Sequence, residues 1–128
     1  MNLLLDTHTF LWWITDAPKL SATARELIGD GHNTLYWSAA SSWEVSIKYA
    51  LGRLPLPETP EKFFPPELLQ NRIESLPVID THAFQAGHLP RYHRDPFDRM
   101  LIAQAQIESL VLLSNDQTLG LYDVNVRW

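Results

Sequence analysis

Residues 3–13 read LLLDTHTFLWW. Three consecutive leucines without polar alternation describe a strand covered on both faces, as in a parallel sheet. Asp6 stands where that strand must end, just before a helical stretch. A carboxylate there has two uses. It can cap the helix that begins near His8, or it can meet a ligand beyond the carboxyl end of a parallel strand. The arrangement recurs near the other end of the chain, where the apolar run LVLLSN leads into Asp116.

Working outward, strands are predicted over Asn2–Leu5, Thr34–Trp37, Leu76–Val78, Val111–Ser114 and Val124–Arg127. Helical patterns lie between them. Ser21 is a fitting N-cap for the helix of SATARELIGDG, with Gly29 or Gly31 as its stop. A second helix runs from Ala39 to Leu51 and is closed by Gly52. TPEKFFPPELLQNR reads as a helix broken by Pro65 and Pro66, or as two short pieces. Asp80 is the expected N-cap of DTHAFQAGHL, and DPFDRMLIAQAQIESL is the clearest helix of all. Alternating strands and helices imply an α/β fold with a mainly parallel sheet. The length of 128 residues suits one domain spanning 1–128.

Composition narrows the function classes. Apolar residues make up 45% and charged residues 20%, which argues against disorder. No apolar run is long enough for a membrane span, and no secretory signal is read at the N-terminus; a cytoplasmic protein is expected. The absence of cysteine excludes disulfides, Cys-based zinc sites and thiol catalysis. The formal net charge of −5 is wrong for a domain that holds nucleic acid by charge alone. A nucleic-acid function would need a bound cation or a local basic patch. The densest positive charge is in LPRYHRDPFDR, with Arg91, Arg94 and Arg99.

Two more acids stand on helices. Glu44 shares a helix face with Ala40, Ile47 and Leu51, a stripe expected to face the core. A charge there must be paired or metal-bound, and Lys48, one turn on, offers a salt bridge. Asp95 reads as an N-cap with Pro96 at N1. Asp98 then falls at N3, on the face of Leu101, Ile102 and Ala105; its alternative role is a capping box. Asp6, Glu44, Asp98 and Asp116 can therefore gather at one edge of the sheet. Two like charges about 4 Å apart repel by about 4 kcal/mol at an effective dielectric near 20, so four ionised acids need a counter-charge. Oxygen-only ligands favour a hard divalent ion, Mg²⁺ or Mn²⁺. Such an ion, rather than lysine, would meet a phosphodiester.

Three segments, LLLDTHTFLWW, SAASSWEVSIKYALGRLPLP and HRDPFDRMLIAQAQIESLVLLSND, in this order, resemble the PIN-domain ribonucleases, specifically the toxins of VapBC-type bacterial toxin–antitoxin pairs. LYDVNVRW is similar to their closing strand. The resemblance implies a three-layer α/β/α sandwich with an acidic pocket at the sheet edge. It implies metal-dependent endoribonuclease activity with Mg²⁺ or Mn²⁺, an RNA substrate, a small neutralising antitoxin and a homodimer. Asp6, Glu44 and Asp98 match the family's three core acids and Asp116 the more variable fourth. Thr7 and Ser114 match small hydroxyl residues that support them, although SND replaces the commoner Thr-x-Asp.

In that reading Asp6 and Asp98 are the principal ligands, Glu44 holds the ion or orients the attacking water, and Asp116 completes the site. Arg91, Arg94 and Arg99 are candidates to position the RNA backbone, with Arg99 alternatively paired to a neighbouring acid. His8 is expected to pack rather than to catalyse. Trp12, Trp13 and Trp43 could stack on bases, but an interface role is favoured; adjacent Trp12 and Trp13 should not both face one core. Two rivals stand beside the nuclease. A phosphatase with an aspartyl nucleophile would need an acid two residues after Asp6, where His8 stands. A catalytically silent interaction module would not need all four acids.

Overall fold

The computed structural model describes residues 1–128. The strands are β1 (Asn2–Leu5), β2 (Thr34–Ser38), β3 (Ile73–Leu76), β4 (Val111–Leu113) and β5 (Val126–Arg127). The helices are α1 (Thr7–Ile14), α2 (Ala22–Gly29), α3 (Ala39–Ala50), α4 (Pro60–Gln70), α5 (Asp80–His88) and α6 (Pro96–Glu108). All five strands are parallel, in the order β3-β2-β1-β4-β5.

The leucine run behaves as its composition requires. Leu3, Leu4 and Leu5 are fully buried on the central strand. Successive side chains leave a strand on opposite faces. Leu3 and Leu5 accordingly join Phe10, Trp37, Val45 and Phe64 in one core, while Leu4 joins Leu101, Ile102 and Leu112 in the other. Helices α1–α4 supply the first core and α5 and α6 the second, giving three α/β/α layers. A buried polar link ties strand to helix: Ser38 Oγ donates to Gln104 Oε1 at 2.6 Å while capping α3 through the Ala40 N–H.

Three expectations are corrected. β3 begins three residues earlier than Leu76–Val78, pairing Ile73 with Leu35 and ending at Leu76. Pro77 has no N–H to continue the ladder. α4 is a single helix that runs through Pro65 and Pro66. The two missing N–H groups are outweighed by burial of Phe64 and Leu68 in the core. The N-cap of α5 is Ile79, with Asp80 one position inside, because the His82 imidazole takes up the Ile79 N–H at 3.2 Å.

Candidate active site

The chain lays down β1, β2 and β3 toward one edge, then returns to place β4 on the other side of β1. The crevice beyond the carboxyl ends of β1 and β4 is thus a topological switch point, where parallel sheets bind ligands. Asp6 leaves β1 there and Ser114 leaves β4. Asp6 serves as a cap after all: its Oδ1 accepts from the His8 N–H at 3.1 Å. Its Oδ2 accepts from Ser114 Oγ at 2.7 Å. Ser114 Oγ in turn accepts from the Asp116 N–H at 3.1 Å, so one buried hydroxyl spans two of the acids.

Glu44 is buried in the second turn of α3. Its Oε1 accepts from Thr7 Oγ1 at 2.7 Å, and a 2.8 Å hydrogen bond links Thr7 to Ser41. Its Oε2 accepts from Lys48 Nζ at 2.7 Å. The expected core stripe is rotated: Ala40, Ser41, Glu44 and Val45 are the covered positions, and Ile47 and Leu51 are exposed. Thr7 and Ser41 do what the misplaced apolar residues could not, because a covered carboxylate needs donors.

Asp98 lies at N3 of α6, above buried Leu101, Ile102 and Ala105. Asp95 Oδ1 takes both the Phe97 and the Asp98 N–H groups at 2.8 and 3.1 Å, leaving the Asp98 carboxylate unused as a cap. Burial pushes Asp98 up to about 7, with the charges of Asp95, Asp6, Glu44 and Asp116 adding to the rise. Burial also raises Asp6, against the hydrogen bonds from Ser114 and His8. At Asp116 burial is outweighed by the Thr118 hydrogen bonds and by His93, and the carboxyl is held below its ordinary value. His93 Nε2 lies 3.3 Å from Asp116 Oδ2 and 2.9 Å from Thr118 Oγ1. Tyr122 OH holds that imidazole in turn, 3.2 Å from Nδ1.

The four acids thus share one electrostatic neighbourhood. As their side chains lie, no three carboxylates or imidazoles converge closely enough to enclose a metal ion. Protein donors engage Asp6, Glu44 and Asp116, whereas nothing but unfavourable burial and like charge acts on Asp98. An oxygen-only donor set with one unengaged, charge-crowded carboxylate fits a hard divalent cation.

The remaining candidates separate. Arg91 and Arg94 are exposed in the segment that leads into α6, a few residues before Asp98. Arg99 does not pair with an acid. Its guanidinium donates to the carbonyls of Ala86, Leu89, Pro90 and His93, at 2.8, 3.0, 2.8 and 3.4 Å. It binds the end of α5 and the following loop to α6. Since hydrogen bonds from a charged donor are each worth about 1.5–3 kcal/mol, Arg99→Ala should lower stability by about 2 kcal/mol or more. Arg99→Lys should not restore it, because a single ammonium cannot span the same carbonyls; denaturant melts read both. His8 is exposed and stacks on Trp12 at 5.8 Å. Trp12 and Trp13 do pack against the same core, contrary to expectation. Both reach it from its rim, Trp13 donating to Asn71 Oδ1 at 2.9 Å and Trp12 meeting Trp128 edge-on at 5.8 Å. Trp43 is 65% exposed, against Phe97.

Sequence reasoning missed Ser41, His93 and Thr118. Ser41 had a readable signal, three residues before Glu44 on the same helix. Thr118 had one too, two residues after Asp116, which caps its N–H at the start of a short 3-10 turn, whereas His93 comes from a loop whose approach no local pattern encodes.

The sequence matches the PIN domain over residues 3–125. The chain belongs to the PIN-domain family. Among curated relatives, Ribonuclease VapC16 of Mycobacterium tuberculosis (strain ATCC 25618 / H37Rv) is 37% identical over 73 residues, 54% of this chain and 50% of that protein. The matched stretch thus spans about half the length of that relative. Among solved structures, the VapBC2 complex of Rickettsia felis, bound to a DNA fragment from its promoter, contains a chain 16% identical. It superposes with a TM-score of 0.71 over 99% of this chain and 98% of that one. FitAcB from Neisseria gonorrhoeae gives 21% identity and a TM-score of 0.65 over 97% and 95%. VapBC-1 from nontypeable Haemophilus influenzae gives 18% and 0.63 over 99% and 97%. At these identities the structures share the PIN fold. No helix of this PIN protein is long and apolar enough to cross a membrane.

Proposed function

We propose that this PIN protein is a metal-dependent endoribonuclease of the VapC toxin type, hydrolysing RNA with the help of Mg²⁺ or Mn²⁺. The observation that carries the reading is the crowding of Asp98 by Asp6, Glu44 and Asp116 at the switch point of the sheet. Asp6 and Asp98 would be the principal residues to hold a divalent ion, with Glu44 and Asp116 completing the site. When bound, that ion supplies Lewis acidity, making hydroxide available near neutral pH and stabilising charge on the attacking and leaving oxygens.

The chain's own residues do the positioning. Ser114 orients Asp6 and the Asp116 backbone together, and Thr7 orients Glu44. Arg91 and Arg94 are exposed and can meet the RNA backbone, while Arg99 holds the loop that carries them. No side chain is required as a covalent nucleophile. A small antitoxin as the neutralising partner, a homodimer and a cytoplasmic location belong to the same proposal; the antitoxin is supported by the toxin–antitoxin complexes that share the fold.

The direct test is incubation of purified protein with total cellular RNA in Mg²⁺ or in EDTA, with new ends mapped. Discrete new ends in Mg²⁺ and none in EDTA are expected. Intact RNA in both removes the assignment. Ser114→Ala offers a graded check. It deletes a hydrogen bond to a carboxylate, a loss of about 1.5–3 kcal/mol, and should slow cleavage by about tenfold or more without unfolding the protein.

A further inference from the structure

Lys48 holds an unusual position for a lysine. Its Nζ is 2.7 Å from Glu44 Oε2, and its side chain is only 37% exposed while that of Glu44 is 9% exposed. An exposed i,i+4 pair of this kind contributes little, but here the carboxylate is covered, where a charge is costly unless it is paired. With Thr7 on Oε1 and Lys48 on Oε2, both oxygens of Glu44 are committed to the protein. Asp6 and Asp116 have both oxygens engaged as well, but Glu44 alone of the four acids is paired to a lysine ammonium, and no three acids converge at ligand distance.

We infer that Lys48 is a built-in counter-ion of the acidic site: its ammonium neutralises Glu44 in the metal-free protein and competes with a divalent cation for that carboxylate. This rests on the reading of the four acids as a metal site. Lys48 is a positioning residue, acting through Glu44. Because two cations draw on one carboxylate, each weakens the hold of the other, and the coupling is reciprocal. Removing Lys48 should cost stability without metal and improve affinity with it. A purely structural lysine would show only the first effect.

The experiment is calorimetric titration with MnCl₂, paired with thermal melts with and without Mn²⁺, on the wild type, Lys48→Gln and Lys48→Arg. The glutamine variant should melt lower than wild type without metal and bind Mn²⁺ about tenfold tighter, within the usual span of coupled sites. Its melting temperature should therefore rise more on Mn²⁺ addition than that of the wild type. The arginine variant, which keeps the charge, should track the wild type in both. Lys48→Met keeps the apolar stem and carries the same expectation should the glutamine variant fail to fold. Normal wild-type binding with unchanged or weaker binding in the neutral variants overturns this inference alone. No Mn²⁺ uptake by the wild type overturns it together with the metal reading of the site.

Discussion

Asp98→Asn is expected to abolish RNA cleavage and to leave the metal-free protein as stable as the wild type or more so. The two effects have one cause. Asp98 is the acid with no protein donor and with four like-charged neighbours, so it is the group most dependent on a cation and least needed by the fold. As an N3 acid it gains some stability from the helix dipole, about 0.3–1 kcal/mol. Burial and repulsion exceed that gain, since they push the carboxyl up to about 7. The sign with pH follows. Below the ordinary carboxylate range Asp98 is protonated in both folded and unfolded chains and contributes no difference. Between that range and about 7 the folded chain holds a proton that the unfolded chain has released, so this group's contribution to stability falls as pH rises. The stability advantage of Asp98→Asn in EDTA should therefore be small near pH 4 and grow to its full value above pH 7. Cleavage at wild-type rate by this variant removes Asp98 from the site. A variant that is less stable at pH 8 overturns the electrostatic account.

Trp37→Ala should cost about 3–5 kcal/mol, the usual range for truncating a buried large aromatic. Trp37 is fully buried on β2, edge-on to Phe10 at 5.3 Å and stacked on Phe64 at 5.4 Å. Its indole N–H donates to Ser42 Oγ at 2.8 Å, a hydrogen bond that truncation also removes. Domains of this size hold about 5–15 kcal/mol in all. The loss is a large part of the reserve, and urea unfolding should show a midpoint shifted far down with an unchanged slope. A shift equivalent to less than about 1 kcal/mol would mean that the core on this face of the sheet closes over the gap, against the packing described here.

The parallel sheet was legible because its strands carry the mark of two-sided burial, and β1 matches its expected bounds of Asn2–Leu5. Helix starts were equally plain where a short polar residue precedes the pattern, as at Ser21 and at Asp95–Pro96. What failed was local chemistry overruled at a distance. The prolines of α4 forbid two hydrogen bonds yet sit in a helix that the core requires, and β3 is placed by its pairing with β2 rather than by its most apolar residues. In the candidate site all four acids could be named from the sequence, and their helix or strand positions foretold. Of the partners that set their charge, Lys48 was readable one helical turn from Glu44, and Thr7 and Ser114 were implied by the family resemblance; the rest were not. That Ser114 would join Asp6 to Asp116, that His93 would reach Asp116 across 23 residues, and that Arg99 would turn to carbonyls are tertiary facts.

The proposed metal site brings Asp6, Glu44 and Asp98 to one divalent cation beyond the ends of β1 and β4. Crystals of the wild-type protein soaked in MnCl₂ and measured for anomalous scattering test it most directly. A manganese peak bounded by oxygens of these three carboxylates is the predicted result. A map with no peak there, or with manganese bound only elsewhere on the surface, contradicts it.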